Sequence, residues 1–223
     1  MPYANWIQRA RKLTHKKRLE LFYGFLKKFN RKPIRIIDLG GTVTFWKNWA
    51  ISDDGSLQIT LINNHHIDKE AVGYDNSLKY IQEIIKDATT LNVDDYKNYD
   101  VIFSNSMIEH LESWDMQKKI CQEIENSGIS YFIQIPNKKS IIDPHFPHLL
   151  VPFFAMYPKK LQAYLLTIHG FNGGRSMSYP DSIVRMGYYN PIDERMLRKL
   201  LPGGNLVPES FLGMSASLIM TKG

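Results

Sequence analysis

Apolar residues fall along this chain in two alternating rhythms. Residues 33–40 form a compact apolar run, Pro33-Ile-Arg-Ile-Ile-Asp-Leu-Gly40, stopped by glycine. A run of that length predicts a strand buried on both faces. Similar runs predict strands over 57–63, 79–86, 100–105 and 129–135, and two more over 205–212 and 214–221, close enough to pair as a hairpin. Between them the spacing changes to threes and fours. Residues 4–13 predict a short helix. Leu19, Phe22, Leu26 and Phe29 place an apolar stripe on a helix over 15–29, ended by Pro33. Met116, Ile120, Cys121 and Ile124 do the same over 113–127, and a further helix is expected from Pro191 to Leu201, before Pro202-Gly203-Gly204. Strand–helix alternation predicts an α/β fold with a mostly parallel sheet covered on both faces, seven-stranded and closed by an antiparallel C-terminal strand. Residues 138–190, rich in Pro, Phe, Tyr and His, are too long for a plain connection and predict an α-rich lid or substrate-binding insertion. The division expected is an N-terminal helical arm over 1–32 and one domain over 33–223.

Composition narrows this picture. The 223 residues are 43% hydrophobic and 22% charged, as in soluble globular proteins. The single cysteine, Cys121, rules out an intrachain disulfide and fits a reducing cytoplasm. It falls on a helical stripe, which reads as core rather than nucleophile. No signal peptide is visible, and the longest apolar run, Leu149 to Tyr157, is nine residues with Pro152 inside it, too short to span a bilayer. The net charge of +6 is uneven: residues 1–35 carry eleven Lys/Arg against one acid, Glu20. A solvated helical face accounts for such an arm. Attraction to an anionic partner, whether phosphate-bearing, membrane-associated or nucleic acid, accounts for it as well.

The candidate chemistry lies at predicted strand ends, where open α/β sheets bind ligands. The first strand ends in Asp38-Leu39-Gly40-Gly41-Thr42, and the Gly-x-Gly-x-x-Gly pattern of dinucleotide enzymes is absent. The second strand ends in Asn63-Asn64, and Asp87-Ala88 follows the third. The fourth reads Asp-Val-Ile-Phe-Ser104-Asn105-Ser106, then Ile-Glu109-His110-Leu. Taken singly, a glycine turn, a turn asparagine and an N-cap aspartate are explained by local structure.

Together, in this order over roughly 70 residues, they resemble the motifs of the class I S-adenosylmethionine-dependent methyltransferases, a superfamily with a Rossmann-like doubly wound sheet. The resemblance implies that Asp38, Gly40, Gly41 and Thr42 hold the methionine end of S-adenosyl-L-methionine. It implies ribose contacts from Asn63 and Asn64, adenine contacts from Asp87 and Ala88, and a cofactor-facing edge at Ser104, Asn105 and Ser106. Two departures stand out: the second glycine is displaced to Gly41, and the ribose acid is Asn63. Phe45-Trp46, Pro136-Asn137, Asp143-Pro144-His145, Pro152-Phe153-Phe154 and the late segment with Arg185, Leu201-Pro202-Gly203, Glu209 and Leu212-Gly213 resemble a bacterial subgroup (methyltransferase type 11/12-like) acting in surface-polysaccharide assembly.

An alcohol acceptor needs a base, which histidine suits near neutral pH. His145 is the first candidate and His110 the second; structural roles, bracing a Pro-rich loop or a helix start, are the plain alternative for each. Some methyltransferases carry Glu-x-x-Glu-His at this point and bind Mg²⁺. Here Ser106 stands at the first glutamate position, so no metal site is expected, although Glu109, His110 and His145 are able to converge. Phe146, Phe153, Phe154, Tyr157, Tyr179, Tyr188 and Tyr189 form either an acceptor lining or the insertion's own core, with Arg175 and Arg185 as anion contacts. The expected function is methyl transfer to a hydroxyl or amine of a small molecule, a sugar or glycan intermediate among them. The alternatives are an RNA or protein methyltransferase using the basic arm, and a non-catalytic cofactor-binding protein.

Overall fold

The computed structural model describes residues 15–49, 55–65, 80–143, 145–146, 151–169, 177–211 and 214–223. The helix expected over 4–13 lies outside them. Seven strands form one sheet: β1 (Ile34–Leu39), β2 (Leu57–Asn63), β3 (Ile81–Ile85), β4 (Val101–Asn105), β5 (Ser130–Pro136), β6 (Asn205–Phe211) and β7 (Met214–Lys222). Their order is β3-β2-β1-β4-β5-β7-β6. The first five pair in parallel, and β7 runs antiparallel to both β5 and β6. The nicotinamide-binding order 3-2-1-4-5-6 has no antiparallel strand slotted between its fifth and last strands. The hairpin that creates this slot carries an irregularity at Glu209/Ser210.

Helices cover the sheet on both faces. They are α1 (described over 15–26), α2 (Val43–Asn48), α3 (Val93–Tyr96), α4 (Trp114–Asn126), α5 (Lys159–His169), α6 (Tyr179–Gly187) and α7 (Glu194–Leu200). Their ends follow capping chemistry: Thr42, Ser113, Ser178 and Asp193 each accept a hydrogen bond from a first-turn backbone N–H. That explains why the last helix starts at Glu194 rather than Pro191. Asp193 caps it, and the preceding Ile192 is drawn into a bridge with Asn137.

One core lies between the sheet and α4 and α7, with Ile120, Cys121 and Ile124 buried as their spacing predicts. The other lies under α1 and α2. There Phe22, fully buried, meets the rings of Trp46, Trp49, Phe103 and Phe132 with centroids 5.1–6.0 Å apart. The stripe on α1 is therefore packing surface. The insertion builds a third cluster from Phe146, Phe154, Ala163, Leu166, Met186 and Tyr189. Among the described residues, no helix is long and apolar enough to cross a membrane.

Phe22→Ala removes a ring held on four sides by other rings. A loss of about 3–5 kcal/mol is expected, read as a lower urea midpoint at unchanged slope.

Candidate active site

The parallel strands bring their carboxyl ends to one edge, and the order reverses direction between β1 and β4. Connections leave on opposite faces there and open a crevice. Gly40 turns the chain out of β1 at φ +77°, and any Cβ on it would meet the Met107 side chain at 2.6 Å. Gly41 lies on the Asp38 carboxylate, where a Cβ would come within 1.8 Å of Oδ2. Asp38 is buried. Its Oδ2 accepts the Trp46 indole N–H at 2.7 Å, while Oδ1 has no hydrogen-bond partner among the described residues. Burial, only partly offset by the Trp46 bond, pushes this carboxyl up to about 7. Asp38 thus shapes the glycine turn from beneath.

Asn63 donates to Gly41 O at 3.1 Å and to Glu83 Oε1 at 3.0 Å. Glu83, a β3 residue in no motif, so sets a carboxylate beside the position where the family pattern has its acid. Asn64 is exposed and contacts His65. Asp87 is exposed and caps a short 3-10 turn over Ala88–Thr90, accepting from Thr89 N and Thr89 Oγ1 at 2.8 Å each. Ser104 is buried and donates to Leu39 O, joining β4 to β1. Asn105 and Ser106 sit at the crevice edge. Ser106 takes φ +59° and donates to Gln134 Oε1 at 3.0 Å.

Asn105 receives Nη1 of Arg18 at 2.7 Å, and the same buried guanidinium pairs with Glu209 through Nη2 at 2.6 Å. Arg31 and Arg35 pair with Asp100 at the opposite end of β4. Part of the N-terminal charge is thus internal structure. Composition counts these charges but cannot reveal their partners.

The two histidines meet, although 35 residues separate them. His110 ends the 3-10 turn Ile108–His110 after β4. Asn190 fixes that turn: its N–H donates to Glu109 O at 2.6 Å, and its side chain donates to Leu111 O at 2.8 Å. Gln117 of α4 bridges Ile108 O and Asn190 O. His145 is delivered by Asp143, a buried carboxylate that accepts His145 N–H at 2.9 Å and the Tyr189 hydroxyl. The result sets His110 Nε2 3.0 Å from His145 Nε2, with His110 Nδ1 3.1 Å from Tyr188 O. A carbonyl only accepts, so Nδ1 carries the proton and the Nε2 lone pair faces His145. Desolvation, then His145, holds the His110 pKa below the usual imidazole range, which keeps the ring neutral.

Glu109 lies behind the pair, fully buried, with Oε1 3.5 Å from His145 Nε2 and both oxygens short of good hydrogen-bond geometry. Burial pushes its carboxyl up to about 7. The histidines open onto a cavity of about 450 Å³ walled by Phe146, Val184, Arg185, Tyr188 and Tyr189. The aromatic set divides accordingly. Phe154 is core, Phe146 and Tyr189 are buried with one face on the cavity, and Phe153 and Tyr179 are exposed. Arg175 lies outside the described residues.

With the geometry in hand, solved structures give the fold a context. A putative O-methyltransferase from Nostoc punctiforme aligns at TM-score 0.52 and 11% identity over 97% of this chain, which spans only 60% of that protein. Magnesium protoporphyrin IX methyltransferase from Synechocystis, solved with bound S-adenosylhomocysteine, aligns at 0.52 and 15% identity over 96% of this chain and 85% of its own. What the chain shares with these methyltransferases is a Rossmann-like fold. A structure described as a putative zinc-dependent alcohol dehydrogenase from Rhodobacter sphaeroides also aligns, at 0.58 and 11% identity over 88% of this chain and 85% of its own. Likeness at this identity therefore carries architecture and not chemistry. No family model matches the chain, and no curated protein matches it in sequence.

Asp38 yields a pH prediction. Its folded-state pKa lies above its unfolded one, so the folded chain binds the extra proton and stability falls as pH rises from about 4 to about 7. Asp38→Asn should flatten that fall by an amount on the order of a few kcal/mol. Denaturant midpoints of both proteins at pH 5 and pH 7.5 measure it, and the Glu109 contribution, common to both, cancels in the difference.

Proposed function

We propose that this protein is an S-adenosyl-L-methionine-dependent methyltransferase acting on a hydroxyl or amine of a small, ring-bearing molecule. One observation carries the reading: a glycine turn, Asn63, Asp87 and Asn105 share one sheet edge, and a histidine pair from the segments after β4 and β5 faces a ligand-sized cavity. The residues fit the cofactor. A side chain at Gly40 or Gly41 would collide with Met107 or Asp38, so the turn keeps bare backbone at the strand end. Glu83 offers a carboxylate and Asn63 its Oδ1 as acceptors for ribose hydroxyls, and Asp87 an exposed acceptor for an amino group. When bound, S-adenosylmethionine supplies an electrophilic methyl on a sulfonium that departs as a neutral thioether.

The protein's own task is to hold an acceptor lone pair in line with that methyl and to help the acceptor lose its proton. His145 and His110 stand at the cavity mouth, where the acceptor's proton is released. Tyr188 and Phe146 give faces for a ring, a sugar among the candidates, and Arg185 gives a cation for a phosphate or carboxylate on it. A cavity of this size favours a small molecule over a polymer as acceptor. The described burial of Arg18 takes one charge away from the alternative in which the basic arm grips RNA.

Calorimetric titration with S-adenosylhomocysteine tests the reading. Micromolar binding is expected for the wild type. Asp87→Ala and Gly41→Ala should each weaken it about tenfold or more, equivalent to about 1.4 kcal/mol. A folded wild type that binds none would leave the fold without this chemistry.

A further inference from the structure

Among the described residues, Glu109, His110 and His145 are a group whose ligand atoms all lie within 4.8 Å of one another. Three features distinguish this cluster from a chance meeting of polar side chains. First, the imidazoles face each other through Nε2 at 3.0 Å; Tyr188 O accepts from His110 Nδ1 at 3.1 Å on its far side, and the Asp143 carboxylate lies on the Nδ1 side of His145 at 3.6 Å, beyond hydrogen-bond distance. Backbone carbonyls and carboxylates behind Nδ1 are the partners that orient metal-binding histidines and fix their tautomer. Second, the His110 Nε2 lone pair faces His145 Nε2 at 3.0 Å, a contact that needs either a proton or a cation between the two nitrogens. A shared proton satisfies the two nitrogens alone, whereas a metal ion also satisfies the carboxylate. Third, Glu109 is fully buried with both oxygens short of good hydrogen-bond geometry, its neighbours being the Ser106 side chain and His145 Nε2 at 3.5 Å, and it points at the same place. A buried carboxylate whose hydrogen bonds are incomplete is costly.

The distances agree. Metal–nitrogen bonds of about 2.0–2.1 Å put neighbouring ligands roughly 2.9–3.4 Å apart in octahedral to tetrahedral geometry. The observed separations are 3.0 Å between the imidazoles and 3.5 Å from His145 Nε2 to Glu109 Oε1.

We propose that Glu109, His110 and His145 form a divalent transition-metal site at the mouth of the acceptor cavity. Two imidazoles and one carboxylate suit Zn²⁺, Mn²⁺ or Fe²⁺ better than the all-oxygen shells of Ca²⁺ and Mg²⁺. Three protein ligands leave positions open on the cavity side, as catalytic rather than structural sites do. An acceptor hydroxyl in an open position would be acidified by the metal and lose its proton to solvent, while both histidines remain neutral ligands. The site itself rests on its own geometry; only this use of it rests on the methyltransferase reading.

The test uses the full chain, stripped by a chelator and titrated with ZnCl₂ and, separately, MnCl₂. Metal content after desalting and the EPR signal of free Mn²⁺ report binding. One ion per chain with micromolar or tighter affinity is expected, weakened at least tenfold in Glu109→Gln, His110→Gln and His145→Gln. Zn²⁺ should raise the wild-type Tm and leave those of the variants unmoved. S-adenosylhomocysteine affinity, measured beside it, should change less than twofold in all three. Absence of stoichiometric binding of both metals by the wild type, or binding that the substitutions leave intact, overturns the proposal and returns the histidine pair to a proton-sharing role. Metal binding without S-adenosylhomocysteine binding would keep the site and remove the methyltransferase reading.

Discussion

β1 lies between two parallel neighbours, β2 and β4, and hydrogen-bonds to both along its length. That pairing is the constraint from which the rest follows. It buries Ile36, Ile37 and Leu39 on the two faces and forces the connections from β1 and β4 to opposite sides of the sheet. The glycine turn, the Asn63 corner, the Asp87 cap and the Asn105 edge meet only because these strands end level with one another. The tie from Ser104 Oγ to Leu39 O lies inside this junction and helps hold the two central strand ends in register.

Buried acids do much of the positioning, each by a different route. Asp38 supports the glycine turn, with Trp46 as its donor. Asp143 gathers the His145 backbone and the Tyr189 hydroxyl, and so joins the insertion to the segment after α6. Glu209 anchors Arg18 and through it draws α1 to the crevice edge at Asn105. Such groups are costly to bury alone and lose most of that cost when paired. Glu109 is the exception, fully buried with no well-formed hydrogen bond and with His145 Nε2 3.5 Å away, and that is why it invites a functional explanation rather than a structural one.

The insertion has two roles at once. Phe154, Ala163, Leu166 and Met186 form a small core that lets residues 151–169 and 177–190 hold a shape of their own. Phe146 and Tyr189 belong to that core and also to the cavity wall, so the packing that stabilises the insertion sets the cavity's form. Asn190 and Gln117 then lock this unit to the loop after β4, which fixes His110 relative to His145.

The sequence alone determined the seven strands, the stripes on α1 and α4, and the order of the strand-end motifs. Those features are written in local spacing, since a buried parallel strand needs a continuous apolar run and a helix needs its three-to-four stripe. It also determined that Asp38, Asn63, Asp87 and Asn105 would stand at strand ends, because each directly follows or closes such a run. Tertiary structure decided what the side chains do there. Asp38 turned inward to Trp46, Ser104 into the sheet and Arg18 out of the basic arm into a buried pair, since each depended on a partner 8 to 191 residues away. Glu83 gained its place beside Asn63 from the β2–β3 register. The convergence of Glu109, His110 and His145 was likewise decided in three dimensions, because 35 residues separate the two rings, the packing of Asp143, Tyr189 and Asn190 sets their distance, and Tyr188 O sets the His110 tautomer.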